Sequence, residues 1–172
     1  MSRVFVGVGS NIDRERSIRA GVAALRERFG RIELSPVYEN PAVGFEGDSF
    51  YNLVAAFDTE LAPAVVDGIL HDIEQQHGRA RGTGSFAPRT LDLDLLLYGD
   101  LVMRQEPVRV PRDDIERYAF VLRPLADIAG EMRHPVTGRT FRQMWAECDR
   151  RGELRPVDFD WDERSSNRRR EA

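Results

Sequence analysis

The chain has 172 residues, 41% of them hydrophobic, and a formal net charge of −4. This suits one domain with a single core and weighs against a general binder of nucleic acid or anionic membrane. All 25 basic residues are arginine, which excludes a Walker A loop, a kinase strand lysine and Schiff-base chemistry, and leaves phosphate to arginine forks, backbone N–H groups or a metal.

Val4 to Gly9 reads as a short buried strand that ends at Gly9-Ser10-Asn11. A helix follows, with Asn11 or Asp13 as N-cap, Ile18, Val22, Leu25 and Phe29 at helical spacing, and Gly30 as its stop. Arg31 to Tyr38 is a second strand interrupted late by Pro36, and Phe50 to Thr59 a third, with a turn-rich loop from Asn40 to Asp48 between them. A second helix starts near Pro63, carries Val66, Ile69, Leu70 and Ile73, and stops at Gly78. After a polar, glycine-containing segment from Arg79 to Pro88 comes a leucine-rich strand. The order β-α-β-β-α-β predicts an α+β, ferredoxin-like core with additional short elements behind it. Residues 1–160 read as a single domain and 161–172 as a disordered tail, since Arg164 to Ala172 offers no apolar residue before its last.

That last strand, Arg89-Thr90-Leu91-Asp92-Leu93-Asp94-Leu95-Leu96-Leu97-Tyr98, carries the strongest chemical signal. Strand side chains alternate faces, so Leu91, Leu93, Leu95 and Leu97 are expected on one side and Asp92 and Asp94 together on the other. Two strand rises put their Cβ atoms roughly 6.5–7 Å apart, close enough to share a hard divalent cation or a pair of them. A half-buried strand with an acidic solvent face is the plain alternative. Arg89 at the strand's start favours a phosphate-transfer site. One cysteine, Cys148, with His71, His77 and His134, makes neither a thiol framework nor a zinc cage. Cys148 reads as a structural or surface residue in a reducing compartment. With neither a secretory leader nor a membrane span in the sequence, a cytoplasmic protein is expected.

From about residue 3 to 145 the chain resembles the 6-hydroxymethyl-7,8-dihydropterin pyrophosphokinases of the folate pathway. The resemblance runs through Gly9-Ser10-Asn11, Ser35 to Pro41, Phe50-Tyr51-Asn52, Ile73-Glu74 with Gly78-Arg79, Arg89 to Asp94, and Phe120 to Leu125. It implies transfer of the pyrophosphoryl group of ATP to the pterin hydroxymethyl oxygen, with release of AMP and use of two magnesium ions. It implies that Asp92 and Asp94 hold the metal, with Asp94 also the nearest candidate to accept the hydroxyl proton, and that Arg79 and Arg89 lie on the triphosphate as catalytic cations. Glu74 would face the nucleotide, with a solvated polar face shared with His77 as the alternative. Asn52 would read the pterin amide edge, Phe120 would stack on the pterin or serve the core, and backbone groups from Asn40 through Pro41 to Val43 would complete the pocket. Ser10 and Asn11 fit a turn and cap better than ligands.

The chain departs from the family pattern in one cluster. Arg112 stands in place of the usual histidine with Asp113 after it, and Tyr118 in place of the usual arginine, while Arg117 sits one position early. Arg112 and a re-aimed Arg117 are therefore expected to bind the nucleotide. In the segment before the aspartates, Gly82 replaces a common basic residue and Phe86 a frequent tryptophan. These changes fit an active but divergent paralogue. A monomer taking pterin and ATP is expected, with neither nucleic acid nor membrane as partner. A non-catalytic ferredoxin-like module binding pterin or nucleotide is the alternative, but it has no need of paired carboxylates. A nucleotidyltransferase fits less well, because about eighty residues separate Gly9-Ser10 from the aspartates.

Overall fold

The computed structural model describes residues 1–40, 49–77 and 91–162. In chain order its principal elements are β1 (Ser2–Ser10), α1 (Arg14–Phe29), β2 (Glu33–Leu34), β3 (Val37–Asn40), β4 (Phe50–Thr59), α2 (Pro63–Gln76), β5 (Asp92–Tyr98), β6 (Met103–Gln105) and β7 (Val108–Val110). Then come α3 (Asp114–Arg117), α4 (Ala119–Ala129), α5 (Phe141–Ala146) and β8 (Arg155–Val157). The main sheet runs β5-β1-β4-β3-β8, with β2 also on β4, and every pair in it is antiparallel. Two split β-α-β units thus interleave as the ferredoxin-like order requires. Among the described residues no helix is long and apolar enough to cross a membrane.

The second strand expected from Arg31 to Tyr38 is two short strands. Pro36 has no N–H to give a ladder, so the chain breaks there. Ser35 bridges the gap: its N–H donates to the Val54 carbonyl at 2.9 Å, and its Oγ accepts from the Val54 N–H at 2.8 Å. At the start of α1, Asp13 occupies the N-cap position in a left-handed conformation without a capping bond from its side chain. The turn is instead locked by the hydroxyls of Ser10 and Ser17, which both donate to the Ile12 carbonyl at 3.0 and 2.9 Å.

The sheet has two unlike faces. On one, Val4, Val6, Val8, Leu53, Ala55 and Phe57 meet Ile18, Val22 and Leu25 of α1 and Val66, Leu70 and Ile73 of α2. Each fully buried aliphatic side chain there contributes about 1.5–3 kcal/mol. Gly21 gives α1 a flat spot for Leu91, since a Cβ at that position would lie 2.8 Å from the Leu91 side chain. On the other face Phe5, Val54 and Ala56 meet Val121, Leu122 and Leu125 of α4 and Phe141 and Met144 of α5.

The expected side-by-side placement of all four odd-numbered leucines fails at one point. The β1–β5 register shifts between Phe5 and Val6, which pair with Leu97 and Leu95, so Leu96 is an extra residue. Beyond that bulge the alternation inverts, and Leu97 joins Leu96 in the α4 core while Leu91, Leu93 and Leu95 stay in the α1/α2 core. Trp161, expected within a disordered tail, packs on Phe159 with ring centroids 4.4 Å apart, and Phe159 in turn meets Tyr51 edge-on. Residues 163–172 lie outside the described part.

A buried histidine makes stability depend on pH. His134 is 4% exposed, and its Nδ1 accepts from the N–H groups of Val136 and Thr137 at 3.1 and 3.2 Å. Burial lowers its pKa from the usual value, opposed more weakly by Glu116, whose carboxylate is 3.7 Å from Nε2. The unfolded chain then holds the extra proton more tightly, so this contribution is complete above about pH 6.5 and is lost as pH falls through that value towards the folded one. Thermal midpoints of the wild type should drop between pH 8 and pH 5. His134→Asn keeps an acceptor for the turn and should drop less; equal slopes would remove His134 as the linked group.

Candidate active site

Helix α4 covers only part of its face of the sheet. Where it stops, β1 presents Gly7 and Gly9, which bring no side chain to fill the space. Gly7 pairs with Asp94 and Gly9 with Asp92 in the β1–β5 ladder, while Gly9 also faces Asn52 across β4. A small cavity of about 40 Å³ results, with Gly7 and Gly9 as floor and Asp92, Asp94, Asn52 and Phe120 among its walls. Glycine at two alternate positions of a strand is a signal that the sequence reading passed over.

At one end stand the carboxylates. Asp92 and Asp94 are both partly exposed and open into this one cavity, as alternation predicts. Among the described residues no group of three or more His, Cys, Asp and Glu side chains gathers as a metal cage. Two hard oxygen donors in an open cavity nevertheless suit magnesium, which keeps several waters and takes its remaining oxygens from phosphate. Arg112 lies beside them, with Nη2 3.4 Å from Asp94 Oδ1 and Nε 3.2 Å from Asp114 Oδ2. Burial works against the charge on Arg112, but Asp94, Asp114 and Asp92 outweigh it and hold its pKa above the ordinary arginine value.

At the other end stands an amide pair. Asn52 Nδ2 donates to Asn40 Oδ1, and both residues are buried, at 9% and 5% exposure. The β3–β4 register sets this pair, with Tyr38 opposite Asn52 and Asn40 opposite Phe50. Strand β3 is itself braced against α4, because the Tyr38 hydroxyl donates to Asp127 and accepts from Arg123 Nε. Phe120 opens the first turn of α4 and stacks on Tyr118, with centroids 4.9 Å apart and planes 19° from parallel. Tyr118 therefore covers one face of the Phe120 ring. Phe120 serves the wall of the cavity and the edge of the α4 core at once.

Two expectations are corrected. Arg117 is not brought to this cavity. Ile115 of the single-turn helix α3 is fully buried, and two residues further on, at about 100° each, the helix points the other way. Arg117 is exposed and lines a separate cavity of about 320 Å³ with Met144, Cys148 and Arg150. Glu74 is neither solvated nor open to a nucleotide: it is 2% exposed, and its Oε2 accepts the backbone N–H of Leu93 at 3.1 Å. It fixes β5 at the residue between the two aspartates. His77 is partly exposed. Arg79 and Arg89, Pro41 and Val43, and Gly82 and Phe86 all lie outside the described residues.

The sequence model of the 7,8-dihydro-6-hydroxymethylpterin-pyrophosphokinase (HPPK) family matches residues 5–130. The chain is 39% identical over 153 residues to the 2-amino-4-hydroxy-6-hydroxymethyldihydropteridine pyrophosphokinase of Pseudomonas aeruginosa, covering 86% of this chain and 93% of that protein. It is 32% identical to the enzyme of the same name from Aquifex aeolicus, covering 86% and 92%. Among solved structures, wild-type Plasmodium falciparum HPPK-DHPS superposes with a TM-score of 0.67 at 13% identity, covering 91% of this chain. That likeness bears on the fold alone, and this chain spans about half the length of that one, 47%.

Proposed function

The chain belongs to the 7,8-dihydro-6-hydroxymethylpterin-pyrophosphokinase family, and from that premise we propose that Asp92 and Asp94 form the metal and nucleotide end of its site and Asn40, Asn52 and Phe120 the pterin end. The enzyme transfers the pyrophosphoryl group of ATP to the hydroxymethyl group of the dihydropterin in folate biosynthesis. The observation that carries the assignment is the glycine-floored cavity lined by Asp92 and Asp94 together with Asn52 and Phe120, Asn40 standing behind Asn52 as its hydrogen-bond acceptor.

Magnesium held by Asp92 and Asp94, two ions by our reading, supplies charge neutralisation to the phosphate oxygens. The protein's own part is placement. The Asn52 amide both donates and accepts, which matches the complementary edge of a pterin ring. The uncovered face of Phe120 supplies a stacking surface. Held between them, the hydroxymethyl oxygen is directed towards the carboxylate end, where Asp94 is placed to accept its proton. Arg79 and Arg89 are assigned to the triphosphate, where their charge favours the transition state over the bound substrate. We assign residues 1–160 to one domain that acts as a cytoplasmic monomer and binds no nucleic acid.

The test is formation of AMP from ATP by the full chain, followed with and without 6-hydroxymethyl-7,8-dihydropterin and with and without magnesium. AMP should appear only when both are present. Pterin and ATP binding without AMP would mark a binding module instead.

A further inference from the structure

Arg112 is anchored unlike a surface arginine. Its backbone N–H donates to the Leu96 carbonyl at 3.0 Å, so its base is pinned to the strand that carries Asp94, two residues away. Its guanidinium is shared between Asp114 on Nε and Asp94 on Nη2. At 40% side-chain exposure the head group has room to swing about that fixed base. We propose that Arg112 is a hinged internal counter-ion for Asp94, which a metal ion must displace, and that its displacement is what frees the guanidinium for phosphate. The proposal rests on the assignment of Asp94 as a metal ligand.

The physical argument is one of exclusion. A guanidinium in contact with Asp94 Oδ1 and a divalent cation on that carboxylate repel one another, and the stronger charge prevails. Without metal, Arg112 neutralises the carboxylate and holds its side chain on the cavity wall. With metal, Asp114 keeps Nε, and the released end of the fork turns towards whatever anion the metal brings. Metal and nucleotide are then coupled through one side chain, and such coupling is reciprocal.

The probe is Mn²⁺, titrated into the full-length, nucleotide-free protein by electron paramagnetic resonance of the free ion. Arg112→Ala should bind Mn²⁺ roughly three- to ten-fold more tightly than the wild type, in line with one partly screened charge pair. Unchanged or weaker binding, or no binding in either protein, overturns the proposal. Asp94→Ala keeps the two failures apart. If it binds Mn²⁺ as the wild type does, the metal assignment itself is wrong; if it loses the ion while Arg112→Ala is unchanged, only the counter-ion is wrong. A second measurement uses α,β-methylene-ATP, which cannot donate its pyrophosphoryl group. The ratio of its Kd for Arg112→Ala over wild type should be about one without Mn²⁺ and roughly five to ten with it. A merely structural arginine would give the same ratio in both conditions, and that result also overturns the proposal.

Discussion

Alanine at Asp92 or at Asp94 is expected to abolish turnover while the protein stays folded. Both side chains open into the cavity, and the Asp94 side chain is 32% exposed. Neither carries core packing, which on this strand belongs to Leu91, Leu93 and Leu95 on one face and Leu96 and Leu97 on the other. The ladder to Gly7 and Gly9 is made by backbone and survives the change. Loss of one preorganised electrostatic element of this kind costs about 2.7–4 kcal/mol in the barrier, or roughly 10²–10³ in rate. AMP release at saturating magnesium measures the effect, and thermal unfolding checks that the fold remains. Wild-type turnover in either variant would remove that carboxylate from the metal site.

The second large effect is expected at the opposite end. Asn52→Leu keeps the branched outline of the side chain but removes the donor to Asn40 and the group proposed to read the pterin. Leaving buried polar partners unsatisfied costs about 1–3 kcal/mol, so pterin affinity should fall roughly 5- to 150-fold while ATP affinity changes little. Gly9→Ala should act in the same direction without touching the amide chemically. A Cβ at Gly9 would lie 2.7 Å from Asn52 Oδ1, and that side chain cannot retreat freely because its Nδ2 is engaged by Asn40. Either the amide rotates away from the cavity or the β1–β4 ladder opens. Calorimetric titration of each ligand separates the outcomes: equal losses for pterin and ATP would assign Asn52 to structure rather than to recognition.

Much of this architecture is local in origin and could be read from the chain. Phe50–Thr59 and the helix beginning at Pro63 occur where expected, because alternation and a first-turn proline are signals carried within a few residues. The shared face of Asp92 and Asp94 followed from strand geometry alone. What escaped depends on partners far away in sequence. In Asp92-Leu93-Asp94-Leu95-Leu96-Leu97 any of the last three leucines could be the extra one, and only the register with β1 makes it Leu96. Strand β8 contains Pro156, which is tolerated at the outside of a sheet but hides the strand from propensity. The direction of Arg117 turned on whether Ile115 or its neighbours entered the core. Glu74 meets Leu93, 19 residues on, and nothing in the helix repeat distinguishes that buried carboxylate from an exposed one. Helix α5 did carry a local sign that went unread, Thr140 and Gln143 forming a reciprocal cap.

Among the described residues the strand that bears the aspartates ends the sheet, with β1 on one side and no further strand beyond it. A leucine-rich border of this kind is a template on which another chain could lay its own backbone, the first step towards a fibre. Here two of the outward groups are already engaged: the Leu93 N–H donates to the Glu74 carboxylate, the Leu96 carbonyl accepts from the Arg112 N–H, and the Leu96 bulge interrupts the regular ladder between them and the strand's end. The residues that hold the site strand in place thereby also guard it against self-association, and the charge at Asp92 and Asp94 guards it again. Selection for solubility and selection for chemistry fall on the same short stretch of chain.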